Sequence, residues 1–168
     1  MKNIPVSDRE KAYGAQYISR EIRVEGFVAA PRVFTVEELR QRKQTTIEDV
    51  PVICGSGRVK EEGRRLAGVL LRDLLDEAQI VIREHEGPNM TYIVVSGTDG
   101  YQALFSWHEI FNTVVGEGLL VSMQKDGKPL DETEGAFCLV STRDERPGPR
   151  RIRYLCRAEV YHLALPAR

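Results

Sequence analysis

The sequence predicts an α+β domain with a β-rich mixed sheet core and short helices. Three observations predict it. Period-two alternation recurs from one end of the chain to the other, the helical signals are short and capped, and glycine, proline and aspartate punctuate the apolar runs at strand-length intervals. At 168 residues, 42% hydrophobic and 29% charged, the chain has the size and mixture of one globular domain. A formal net charge of −1 gives no whole-molecule field toward nucleic acid or anionic lipid, so an anion site must be built locally. No run is long and apolar enough to span a bilayer, and the first residues carry no apolar signal core. Cytoplasmic residence is therefore expected, a removed export signal aside.

Residues 1–21 are polar and weakly periodic and read as an N-terminal arm, with the domain occupying 22–168. Glu21-Ile22-Arg23-Val24-Glu25-Gly26-Phe27-Val28 alternates as a half-buried strand, ended by Pro31. Thr35 followed three residues later by Glu38 predicts a reciprocally capped short helix. Residues 47–54 are β-branched and run into Gly55-Ser56-Gly57, a turn whose amides can face a ligand. Leucines at helical spacing over 70–78 predict an amphipathic helix. Residues 91–96 form a strand stopped by Gly97-Thr98-Asp99-Gly100-Tyr101. Ser106 and Glu109 make a second capping box, opening a helix through Phe111. Residues 119–123 lead into a hairpin turn at Asp126-Gly127, with 136–140 as a neighbouring strand. Residues 152–161 alternate again after a basic loop at 143–151.

Three cysteines, Cys54, Cys138 and Cys156, are an odd number without C-x-x-C spacing, which argues against a disulfide framework or a structural zinc site. Cys138 and Cys156 fall in predicted strands, where burial accounts for them. His85, His108 and His162 show no ligand spacing, and Trp107 reads as a core anchor.

The succession of Gly26, Pro31, Thr35 to Leu39, Cys54, Gly68 to Leu75, Asp99-Gly100-Tyr101 and Lys125-Asp126-Gly127-Lys128-Pro129-Leu130 resembles the oxidoreductase molybdopterin-binding domain of the sulfite oxidase superfamily. The resemblance covers about residues 22–160, and the chain is similar to a small stand-alone member. It implies a molybdopterin cofactor carrying molybdenum or tungsten, with Cys54 at the position of the metal-ligating cysteine; a thiolate suits a soft, high-valent metal. It places Gly55 and Ser56 beside the cofactor and Tyr101 where a phenol faces the substrate. Arg150, Arg151 and Arg153 fall where the pterin phosphate is received, a task suited to the guanidinium fork.

The implied reaction is two-electron oxygen-atom transfer on a small oxyanion or sulfoxide, with an electron-transfer protein as partner. The departures are as specific. The upstream arginine, asparagine and histidine motif of sulfite oxidases has no counterpart before Ile22, and Gly135-Ala136-Phe137-Cys138-Leu139 lacks the family's proline and arginine. A second reading is therefore a cofactor-free binding module on the same fold, holding another anionic ligand or a partner protein.

Overall fold

The computed structural model describes residues 13–164. Among the described residues ten strands form two sheets, and three short α-helices accompany them. In the first sheet β1 (Glu21–Gly26) pairs antiparallel with β2 (Arg32–Thr35) and parallel with β10 (Leu155–His162). Beyond β10 come β5 (Thr91–Gly97) and β6 (Gln102–Ser106), both antiparallel. The second sheet runs β3 (Thr45–Ile53), β4 (Val59–Leu70) and β7 (Leu119–Lys125). The far side of β7 carries β8 (Lys128–Pro129) at one end and β9 (Cys138–Ser141) at the other.

The main core fills the space between the sheets. Ile22, Val24, Ile93, Val95, Phe105 and Val160 contribute from the first sheet, and Val69, Leu119, Val121 and Met123 from the second. Strand alternation sends Leu120 to the opposite face of β7, where it joins Val50, Leu66, Leu70, Cys138 and Val140 in a smaller cluster. Because β7 is enclosed on both faces, 119–123 reads as an unbroken apolar run with Ser122 inside it.

The helices are α1 (Val36–Arg40), α2 (Leu71–Ala78) and α3 (Trp107–Phe111). The Ser106–Glu109 box forms as expected, each side chain accepting from the other residue's backbone N–H. At α1 only half of the expected box forms: Thr35 accepts from the Glu38 amide, while the Glu38 carboxylate pairs with Arg42 and Arg32. Asp126 and Gly127 have φ of 52° and 77°, the paired left-handed residues of a two-residue hairpin.

The structure differs from the sequence reading at four places. β4 begins within the charged stretch after Gly57, and β2 and β6 are strands where none was expected. Residues 152–154 are not part of the last strand: Ile152 makes an isolated bridge to Leu139, and Tyr154 turns at φ 51° before β10 starts. Residues 1–12 of the expected arm lie outside the described residues, and the rest of the arm is tied down. Gly14 N–H donates to the Tyr154 hydroxyl at 3.1 Å, Ala15 N–H to the Glu132 carboxylate at 2.9 Å, and the Tyr17 and Tyr154 rings lie 5.6 Å apart. No helix among the described residues is long and apolar enough to cross a membrane.

Candidate functional site

β3 and β4 form a long hairpin, and Cys54 lies in the turn at its tip. Cys54 N–H donates to the Arg58 carbonyl at 3.0 Å and Gly57 N–H to the Cys54 carbonyl at 2.8 Å, which closes the turn around the thiol. The sulfur lies 2.9 Å from the Ser56 hydroxyl. That hydrogen bond, with the Ser56 and Arg58 backbone and the positive charge of Lys60, holds the thiol below its ordinary range against the opposing effect of desolvation. The amides of the Gly55-Ser56-Gly57 turn, expected to face a ligand, serve the sulfur itself at Ser56.

The turn forms one wall of a cleft of about 210 Å³. Val52, Cys54, Gly55, Lys60 and Glu61 come from the hairpin, Asp99 and Tyr101 from the turn between β5 and β6, and Gly148, Pro149, Arg151 and Arg153 from the approach to β10. Tyr13, from the segment before β1, completes the lining, with the Arg153 guanidinium 5.1 Å from its ring centroid.

The approach loop is held against the Cys54 turn at several points. Gly148 N–H donates to the Ile53 carbonyl at 2.9 Å, and a Cβ on Gly148 would stand 2.5 Å from that same oxygen. Only a residue without a side chain brings the two segments this close. Arg146 donates to the Gly55 carbonyl, and the Tyr101 hydroxyl donates to the Pro149 carbonyl at 2.6 Å.

Of the residues anticipated from sequence, Cys54, Gly55, Tyr101, Arg151 and Arg153 are brought together in this cleft, and Ser56 stands behind the sulfur. Arg150 is placed apart from them. Its Nε and Nη2 donate to both oxygens of Asp144 at 2.8 and 2.6 Å, its Nη1 donates to Glu109 at 2.7 Å, and its guanidinium lies 4.3 Å from the Phe105 ring centroid. Two carboxylates and an aromatic face thus occupy Arg150 in a partly buried setting, leaving it the anchor of the loop. Arg151 and Arg153 share the cleft across an irregular turn, not along one face of a strand.

Tyr13, Lys60 and Glu61 line the cleft outside every motif read from the sequence, and Asp99 lines it from the turn that carries Tyr101. Behind the cleft lies a buried ion cluster that sequence reasoning missed. Glu134, 2% exposed, is paired with Arg151 and with Lys125, whose Nζ is 2.7 Å from its other oxygen. Nothing in the local pattern marks Glu134, which sits in a polar turn between β8 and β9. Among the described residues no three His, Cys, Asp or Glu side chains gather as a metal site.

The two-sheet fold thus carries a cleft with one thiol at its mouth and two arginines along its wall. The model of the oxidoreductase molybdopterin binding domain matches residues 13–140, and the chain belongs to that family. The crystal structure of sulfane dehydrogenase SoxCD from Paracoccus pantotrophus is similar over 93% of this chain and 40% of that one, with a TM-score of 0.63 at 18% identity. The likeness shows the fold, an α+β domain with mixed sheets and short helices, and this chain spans well under half of that protein's length. No curated protein sequence matches the chain.

Proposed function

We propose that the chain is a molybdopterin-binding oxidoreductase module in which Cys54 ligates molybdenum or tungsten and the cleft works on a small oxyanion or sulfoxide. The observation that carries this reading is the convergence of Cys54, Tyr101, Arg151 and Arg153 on one cleft, in a chain of this family.

The residues fit such a group at two ends. At one, Cys54 offers a thiol held below its ordinary range by the Ser56 hydroxyl, and the thiolate is the form that binds metal. At the other, Arg151 lines the cleft, is 7% exposed at its side chain, and has an Nε without a hydrogen-bond partner. A buried guanidinium with an unused donor is suited to a phosphate or another oxyanion. When bound, the cofactor supplies two-electron oxygen-atom exchange, with an electron-transfer protein as the other redox partner.

The chain's own side chains then divide the work. The Ser56 hydroxyl, 2.9 Å from the Cys54 sulfur, favours its thiolate form. Arg151 and Arg153 hold the negative group along the wall, and Gly55 leaves the mouth free of side chain. Arg150 fixes the loop that carries Pro149 and Arg151. Tyr101 stands at the opening, but its single O–H is given to the Pro149 carbonyl. As held it can accept a hydrogen bond, and to donate one to a substrate oxygen it must release that carbonyl.

The test is metal and pterin content of protein purified from a host that makes molybdopterin. Close to one metal and one pterin per chain supports the reading, and Cys54→Ser should lose the metal; metal retained by that variant would remove the ligand assignment. Absence of both from the wild-type protein favours the second reading, a binding module that holds another anion on this fold.

A further inference from the structure

Glu134 is fixed by its backbone before its side chain acts. Its N–H donates to the Asp131 carbonyl at 3.1 Å and its carbonyl accepts from Tyr154 N–H at 2.8 Å. The carboxylate is then enclosed between two cations, Lys125 on one oxygen and Arg151 on the other. Lys125 also lies 3.9 Å from Glu61, a cleft residue. Glu134 forms an ion pair with Arg151 through Nη2, without a hydrogen bond at either carboxylate oxygen, and Arg151 Nε is likewise buried without a hydrogen-bond partner. An orphaned donor of this kind is costly in a folded protein unless something else satisfies it. The guanidinium that carries it lines the Cys54 cleft beside Arg153.

We propose that Glu134 is a positioning residue: it clamps one edge of the Arg151 guanidinium so that the remaining donors, with Arg153, receive a tetrahedral oxyanion in the cleft. This rests on the reading of the cleft as an anion-holding site and adds the buried carboxylate that organises it. Lys125 has a supporting role, occupying the second Glu134 oxygen so that the carboxylate does not rotate away from Arg151.

The charge of Glu134 makes the idea sharply testable. If Glu134 acted only by Coulombic neutralisation, removing its charge would tighten anion binding, whereas loss of a clamp weakens it. The experiment titrates cofactor-free protein with sulfate at constant ionic strength, following heat and the protection of Cys54 from iodoacetamide. Glu134→Gln is expected to weaken sulfate binding about tenfold despite the more positive site, the scale of one charge-assisted hydrogen bond. Arg151→Lys should weaken it similarly, because an ammonium lacks the fork.

Unchanged or tighter binding in Glu134→Gln would overturn the proposal. If that variant does not fold, Glu134→Asp keeps the charge and shortens the reach; weaker binding supports the clamp and unchanged binding overturns it. Repeating the titration on molybdenum-loaded protein separates the two sources of the anion. Sulfate excluded by loading identifies the cofactor phosphate at Arg151, sulfate still bound identifies a free oxyanion, and either outcome supports the clamp. A Glu134 effect in a protein that takes up no metal or pterin would retain the clamp and remove the cofactor reading. Full loading with an indifferent Glu134→Gln would remove the clamp alone.

Discussion

The Tyr101 hydroxyl donates to the Pro149 carbonyl at 2.6 Å, joining the turn before β6 to the loop before β10 across the mouth of the cleft. Because Tyr101 is 40% exposed, the bond competes with water and contributes at the low end of the usual range, about 0.5–1 kcal/mol. Tyr101→Phe should therefore keep the fold with a small loss in urea-unfolding free energy, while amide exchange at Glu145, Arg146 and Gly148 accelerates. Unchanged exchange there would show that Gly148 and Arg146 hold the loop without Tyr101.

Cys54 should be the reactive thiol of the native protein. Its alkylation rate should rise along a titration centred below the ordinary thiol range, and Ser56→Ala should move that midpoint upward by removing the largest stabilising contact to the thiolate. Cys138 is fully buried and pushed up to about 12 by desolvation, so it should label only after unfolding. A native-state profile insensitive to Ser56→Ala would mean that the hydroxyl does not serve the sulfur.

Alkaline stability should fall through Cys138. Its folded pKa of about 12 exceeds the 9.0 of a free thiol, so below pH 9 both states keep the proton. Between 9 and 12 the unfolded chain releases the proton and the folded one does not, so stability declines by about 1.4 kcal/mol per pH unit and levels above 12. Cys138→Ala should flatten most of that slope in urea titrations across the same window, with Cys156, also raised by burial, supplying part of the remainder.

Arg150→Met should destabilise the protein by about 2–3 kcal/mol at neutral pH, because Asp144 and Glu109 would lose their shared cation in a partly buried setting. Burial pushes both carboxyls up, but hydrogen bonds from Arg150, Ser141 and Ser106 overcome it and hold both below their ordinary values of 3.8 and 4.5. Carboxyls depressed by folding lend stability above their unfolded values and lose it as pH falls through the folded ones. The gap between wild type and variant should thus narrow below about pH 4; a gap constant with pH would assign the loss to the Phe105 stacking instead.

Strong local signals were legible in the sequence. The Ser106–Glu109 box, the Asp126-Gly127 turn and the leucine face of α2 follow from contacts within a few residues, and all three stand as expected. β2 and β6 were missed because Arg32-Val33-Phe34-Thr35 and Gln102-Ala103-Leu104-Phe105-Ser106 are short and lie beside stronger turn and capping signals. The charged start of β4 was missed because that part of the hairpin is exposed on both faces, so no apolar alternation marks it. In the cleft, the family resemblance led to Cys54, Tyr101, Arg151 and Arg153. Arg150 finds Asp144 within its own loop, but Glu109 for Arg150 and Glu134 for Arg151 come from elsewhere in the chain, at separations that no local pattern spans.

The parallel pairing of β1 with β10 sets Arg23 against Arg157 and Gly26 against Val160. One of the earliest strands thus waits for one of the last, and the closure entropy of nearly the whole chain must be met before the first sheet is complete. On a ribosome, the edge of β5 that β10 will cover stays uncovered until residue 162 has emerged, while the β3–β4 hairpin can zip on its own. Loop closure thus delays completion of the first sheet, and loss of β10 would leave both β1 and β5 without a shared neighbour.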